Sequence, residues 1–297
     1  MTPVKPLRVV MVAMEMSPLV KVGGLGDVVH SLSEALLARG HDVTVILPAY
    51  RGLLGEITAD ETTRGRMDFA YAGGRRRQRF LRARPEGVGA RLFLLDDPAF
   101  SRRDGIYVDP ETREDYPDGA DRYALLARGA LELLLRIVLR PELLHVHDFQ
   151  TGLIPSMLRR RALGTPYFDR TATVLTIHNL GYQGIYDPEV LDRVGLDGRG
   201  RGPGDALEFW GKVNYLKAAI MDADAVTTVS PRYAEEIRTR PEFAEGLQGV
   251  LSARGNGLTG ILNGIDVVTW DPARDPHLPL RYDRDRLEAK AASKKAL

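Results

Sequence analysis

Residues 8 to 48 read as one strand–turn–helix–strand unit, and that unit limits the folds open to the chain more than any other stretch does. "RVVMVAM" (8–14) is a short, almost unbroken apolar run, the pattern of a strand buried on both faces of a parallel sheet. The turn "KVGGLGDVV" (21–29) leads into a segment where Val28, Val29, Leu32, Leu36 and Leu37 recur at helical spacing, ending at Gly40. "DVTVILP" (42–48) is then a second buried strand, which completes a parallel crossover unit.

The rhythm continues downstream. Strands are predicted at "RLFLLDD" (91–97), "LLHVHD" (143–148), "TATVLTIHN" (171–179), "AVTTVS" (225–230) and "LTGILNGID" (258–266). Helices are predicted at 121–140, closed by Pro141, at 151–163, at 206–223, and after Pro231, which suits a first helical turn. Alternation of this kind predicts an α/β fold with a Rossmann-like, doubly wound parallel sheet. Two segments interrupt it. "MDFAYAGGRRRQRFLRA" predicts a β-hairpin insertion turning at Gly73-Gly74. Its "RRRQR" reads as a solvated face in preference to a basic binding patch. "RVGLDGRGRGPGD" (193–205) reads as a loop. The expected domain layout is one Rossmann-like domain over 1–270, followed by a polar linker, or the start of a further lobe, over 271–297.

Composition narrows the function. The 297 residues carry a formal net charge of +1, which argues against a nucleic acid or anionic membrane partner. Cysteine is absent, so disulfides and thiolate metal sites are excluded. No signal peptide is recognisable, and no stretch approaches the ~18 apolar residues of a spanning helix, so a cytoplasmic location is expected.

In open α/β sheets, ligands collect beyond the carboxyl ends of the strands. Lys21, Gly23 and Gly24 lie there and suit a phosphate: glycines admit close backbone approach, the next helix offers free N–H groups, and lysine adds charge. A plain tight turn with an exposed lysine is the competing reading. The spacing fits neither the dinucleotide glycine fingerprint nor the P-loop. Polar groups end other strands too: His145, His147 and Asp148; His178 and Asn179; Ser230; Asn263 and Asp266. "HVHD" could hold a metal, since His145 and His147 point to one face, but it lacks further ligands, and a hydrogen-bonded buried role suits His145 better.

Six segments in series carry a resemblance: "EMSPLVKVGGLGDVVHSLSEALLARGHDVTVILPAY", "DGIYVD", "HVHDFQTGLIPSML", "TVLTIHNLGYQGIY", "EFWGKVNYLKAAIMDADAVTTVSPRYAEEI" and "GILNGIDVVTWDP". Together they resemble the N-terminal half of the bacterial glycogen synthase and plant starch synthase family. The resemblance implies the N-terminal lobe of a two-lobed GT-B glycosyltransferase. Such an enzyme transfers glucose, with retention, from ADP-glucose to the 4-hydroxyl at the non-reducing end of an α-1,4-glucan, without cofactor or catalytic metal.

Lys21, Gly23 and Gly24 then match the donor's diphosphate and sugar loop, and Asp27 its closing aspartate, with loop-ordering or donor contact as its role. His178 matches a histidine at the reacting sugar and Asp148 an acid on the acceptor side, where a helix cap is the structural alternative. Tyr107, Asn179 and Asn263 match donor-side positions. The chain departs from the family pattern at His30, Ser31 and Gly119, and at Phe149-Gln150, where a Trp-His pair is commoner. The family's second lobe supplies further nucleotide-binding residues, so a chain ending at Leu297 is expected to lack a C-terminal lobe and to be inactive alone. The alternatives are a non-catalytic glucan-binding module and, on "HVHD", a metal-dependent hydrolase.

Overall fold

The computed structural model describes residues 5–53, 63–196 and 202–296. It divides into two compact units, Met1–Leu262 and Asn263–Leu297. In the first unit the strands are β1 (Arg8–Val12), β2 (Asp42–Pro48), β3 (Thr63–Tyr71), β4 (Gly74–Ala83), β5 (Arg91–Asp96), β6 (Leu143–His147), β7 (Ala172–Ile177), β8 (Ile185–Tyr186), β9 (Glu208–Phe209), β10 (Lys212–Asn214), β11 (Ala225–Thr228) and β12 (Leu258–Gly260). The helices are α1 (Gly24–Ala38), α2 (Pro98–Ser101), α3 (Gly119–Arg136), α4 (Leu153–Arg159), α5 (Tyr215–Asp222), α6 (Pro231–Thr239) and α7 (Gln248–Ala253). The second unit, taken alone, holds a turn whose Asp266 carboxylate accepts from the Val268 and Thr269 amides, and a short helix, α8 (Lys290–Ala296).

Nine strands form one sheet in the order β12-β11-β7-β6-β1-β2-β5-β4-β3. All neighbours from β12 to β5 are parallel. Chain order runs outward from β1 through β2 to β5, then returns to β6 on the other side of β1. This is the doubly wound Rossmann-like arrangement, and it puts the topological switch between β1 and β6. Alternate residues of β1 feed separate cores. Val9 and Met11 pack with Val29 of α1, and Val10 and Val12 pack with Leu126 of α3 and Ile154 of α4. A strand buried on both faces has no polar side to show, hence its continuous apolar run.

Several expectations need correction. The β3–β4 hairpin is antiparallel, and β4 also pairs antiparallel with β5, so it extends the main sheet as its edge. Its turn is one residue earlier than expected, at Ala72 (φ 53°) and Gly73 (φ 73°), where both backbones are left-handed as a tight hairpin turn requires. The 121–140 helix spans 119–136. Pro141 does not end it. Val138 does, adopting φ 55°, while Val138 and Leu139 donate amides to Leu135 and Leu134. Gly40 (φ 85°) ends α1 by the same double bond, to Leu37 and Leu36.

The expected helix over 206–223 is helical only from Tyr215. Its first half is the β9–β10 hairpin, turning at Trp210 (φ 51°) and Gly211 (φ 80°) and pairing with β8. Asn214 then caps α5 by accepting from the Lys217 amide. The apolar spacing of 206–214 mimicked a helix, and the Trp-Gly turn overrode it. The 151–163 helix is short, 153–159, because a tight 3₁₀ turn occupies Phe149–Thr151. Of the loop expected over 193–205, residues 197–201 lie outside the described residues. Among the described residues no helix is long and apolar enough to cross a membrane.

Candidate functional site at the strand ends

The rim at the switch point is organised by Glu15, three residues past β1 and only 2% exposed. One carboxylate oxygen accepts from the Val22 amide at 2.5 Å and the Gly23 amide at 3.0 Å. The other accepts from the Tyr107 hydroxyl at 2.5 Å. A buried carboxylate is tolerated because three donors replace its water. Burial and the Glu15 charge push the Tyr107 phenol far above its ordinary range. Glu15 therefore ties the glycine loop to the segment carrying Tyr107. Sequence reasoning missed it. Its signal was an acid directly beyond a strand with no other polar residue near its end.

Within the loop, Lys21 Nζ lies 2.7 Å from the Asp27 carboxylate, and both side chains are nearly half exposed. Such a pair contributes little to stability and can exchange partners. Gly23 has ordinary extended backbone, and a Cβ on either Gly23 or Gly24 would meet nothing within 4 Å. Neither backbone strain nor packing within the chain explains two glycines there. The Gly23 amide is engaged by Glu15. The Gly24 amide, at the start of α1, has no hydrogen bond among the described residues and is one of the loop's available donors.

Beyond β6, Asp148 accepts from the His178 amide at 2.7 Å and the Asn179 amide at 3.3 Å, stitching the end of β6 to that of β7. It makes no side-chain cap to the following turn, so the helix-cap alternative fails. Its backbone sits at φ 54°, ψ −171°, a region that glycine alone occupies freely. Burial pushes its carboxyl up to about 7, against the pull of the two amides, with the Glu15 charge adding to the rise. Phe149 turns inward, its ring edge-on to Tyr123 at 5.2 Å and so close to Gly184 (φ 65°) that no side chain fits there.

His178 Nε2 lies 3.1 Å from His147 Nδ1. His147 stacks on His145 at 4.3 Å, and His145 Nε2 bonds the Thr176 hydroxyl at 2.7 Å. The two β6 histidines do share a face, and His145 has the buried, hydrogen-bonded role. Burial lowers His145 and His178 to about 4 and drives His147 well down, so at neutral pH all three rings are uncharged. Among the described residues no group of three or more His, Cys, Asp or Glu side chains could hold a metal ion. Asn179 accepts from the Gly181 amide in a local turn. Ser230 caps α6 by accepting from the Tyr233 amide. Asn263 opens the second unit, which is described separately from this rim.

The geometry thus joins Glu15, Tyr107 and the glycine loop in one cluster, and Asp148, His178 and Asn179 in another. The Glu15 charge acts on both. A family model described as starch synthase catalytic domain matches residues 8–253. The chain belongs to the starch synthase catalytic domain family. A glycogen synthase of Syntrophotalea carbinolica is 39% identical over 98% of this chain and 59% of its own length. Glycogen synthase 1 of Methylococcus capsulatus is 42% identical over 98% and 57%. The solved catalytic domain of starch synthase IV from Arabidopsis thaliana, bound to ADP and acarbose, superposes with a TM-score of 0.83 at 32% identity, over 98% of this chain and 58% of that one. This starch synthase domain chain therefore spans somewhat more than half the length of the relatives it matches, and it shares their α/β architecture.

Proposed function

We propose that the chain supplies the acceptor-side lobe of a retaining glucosyltransferase that moves glucose from ADP-glucose to the 4-hydroxyl at the non-reducing end of an α-1,4-glucan in the cytoplasm. Family membership supports this, as does the Glu15-centred rim at the switch between β1 and β6. The remaining nucleotide contacts come from a second lobe, as the greater length of the relatives suggests.

The donor diphosphate meets the free Gly24 amide and Lys21, which leaves Asp27 for the phosphate; Asp27 holds the lysine in place beforehand. Tyr107 and Asn179 take other polar groups of the donor. Cleavage of the bond between glucose C1 and the phosphate oxygen builds positive charge on the sugar ring. Neutral His178 does not oppose that charge, and the buried Glu15 carboxylate favours it. The acceptor O4 attacks C1 from the leaving-group side, and its proton passes to the departing phosphate. No second carboxylate placed as a nucleophile is required. Asp148 orients the acceptor side through its hold on the end of β7.

The test supplies the second lobe of a relative and follows labelled glucose from ADP-glucose into glycogen. Incorporation supports the proposal. No incorporation with glucan binding intact points instead to a non-catalytic glucan-binding module. In the assembled enzyme, Lys21→Ala is expected to weaken ADP-glucose use by ~1.5–3 kcal/mol, the scale of a lost charged hydrogen bond. Unchanged donor dependence would return the loop to a plain turn.

A further inference from the structure

We propose that His147 is a positioning residue that fixes the tautomer of His178, so that His178 presents an Nδ1–H donor at the rim to an oxygen of the bound sugar. The contact is the 3.1 Å approach of His147 Nδ1 to His178 Nε2. With both rings neutral, one nitrogen donates and the other accepts. The direction follows from the far side of His147. Its Nε2 is buried without a hydrogen-bond partner, in a residue 1% exposed. If His178 donated, His147 would carry its proton on that orphaned atom, leaving a buried N–H with nothing to bond. If His147 donates from Nδ1, the orphan is a bare lone pair. Buried unpaired donors are the rarer of the two in folded proteins, so His147 is the donor.

The consequence passes to His178. Its Nε2 accepts, so its own proton sits on Nδ1, the ring nitrogen without a partner among the described residues. The His147 ring is held for this task by stacking on His145 at 4.3 Å. Its backbone is held as well: its amide donates to the Thr151 hydroxyl and its carbonyl accepts from it, both at 2.8 Å. His178 thus recognises a ligand oxygen through that oxygen's lone pair and does not accept a proton at the rim. Its use on a sugar rests on the transferase reading above; the tautomer itself does not.

The experiment is ¹⁵N NMR of histidine side chains in this chain at pH 7 without ligand, with the rings assigned by single His→Gln variants. The expected result is protonation of His178 and His147 at Nδ1. In His147→Phe, which removes the donor, His178 should revert to the Nε2-protonated form that dominates in free histidine. In His147→Asn, whose side-chain amide reaches the Nδ1 position, the Nδ1 form should persist; this variant decides the matter if His147→Phe does not fold. Protonation of His178 at Nε2 in the parent, an unmoved tautomer in His147→Phe, or loss of the Nδ1 form in folded His147→Asn would each overturn the proposal. A chain that passes this test yet incorporates no glucose when the second lobe is supplied loses the transferase reading alone.

Discussion

The strand-end rim and the β3–β4 hairpin both carry dense charge, and they use it in opposite ways. On the hairpin the arginines are exposed or half-buried, although the Asp96 and Asp97 carboxylates that Arg79 and Arg76 pair with are buried. Arg77 pairs with Asp68 across the strands and Arg79 with Asp96, while Arg66 stands directly opposite Arg79 in the ladder. At the rim, Glu15, Tyr107, Asp148 and His178 are pressed together, most of their bonds go to backbone amides, and the proton affinities of Tyr107, Asp148 and His178 move far from ordinary values. A grooved surface beside the hairpin, lined by Arg66, Asp68, Glu132 and Arg136 among others, gathers no such perturbed groups. Density of charge therefore does not mark a site here. Buried titratable groups held at a strained backbone do.

The sharpest way to break this contrast is to remove Glu15. Glu15→Ala leaves the Val22 and Gly23 amides and the Tyr107 hydroxyl without an acceptor, and it should cost about 3 kcal/mol in urea unfolding. A loss below about 0.5 kcal/mol, the range of an exposed substitution, would mean the clamp is incidental. The next effect concerns pH. The folded carboxyl of Asp148, raised to about 7, binds its proton more tightly than the unfolded one at 3.8. Its contribution is therefore complete below pH 3.8 and is lost as pH rises through about 7. Relative to Asp148→Asn, the parent should lose about 2 kcal/mol between pH 4 and pH 8, a figure discounted for the residual solvent contact of this largely buried carboxyl. A constant difference between the two would contradict the buried carboxyl.

The α3 terminus gives a smaller effect, outside both regions. Val138→Gly relieves a branched side chain at φ 55° and should raise stability by about 1 kcal/mol, read as a higher urea midpoint with an unchanged slope. The hairpin supplies the smallest. Arg77→Ala should change stability by no more than about 0.5 kcal/mol, since its pair with Asp68 is exposed on both sides. A larger loss would show that the hairpin's charges are structural after all.

How much was legible follows from where the information lay. The parallel strands were readable because burial on both faces leaves an uninterrupted apolar run, as in "RVVMV" and "TVLTI". Such runs mark the strands of the sheet, and the glycine loop lies, as expected, between β1 and α1. The β8–β10–β9 sheet was not readable, since Trp210 at a left-handed turn is no signal for a hairpin. Val138 is the same case: only the two bonds to Leu134 and Leu135 show that the helix stops there. At the rim, Asp148 and His178 could be named from position, but the pairing of Asp148 with the β7 amides depends on register between strands. Glu15 carried only its position beyond β1 as a signal, and its role was not readable because its partners lie 7, 8 and 92 residues away.

The central claim is that the rim, and not the basic hairpin, receives the nucleotide sugar. Backbone amide NMR of this chain titrated with ADP-glucose tests it directly. The account predicts saturable shifts at Val22, Gly23, Gly24 and His178, with the β3–β4 arginines unmoved. Shifts confined to the hairpin, or a rim that stays silent while the ligand binds elsewhere, would contradict it.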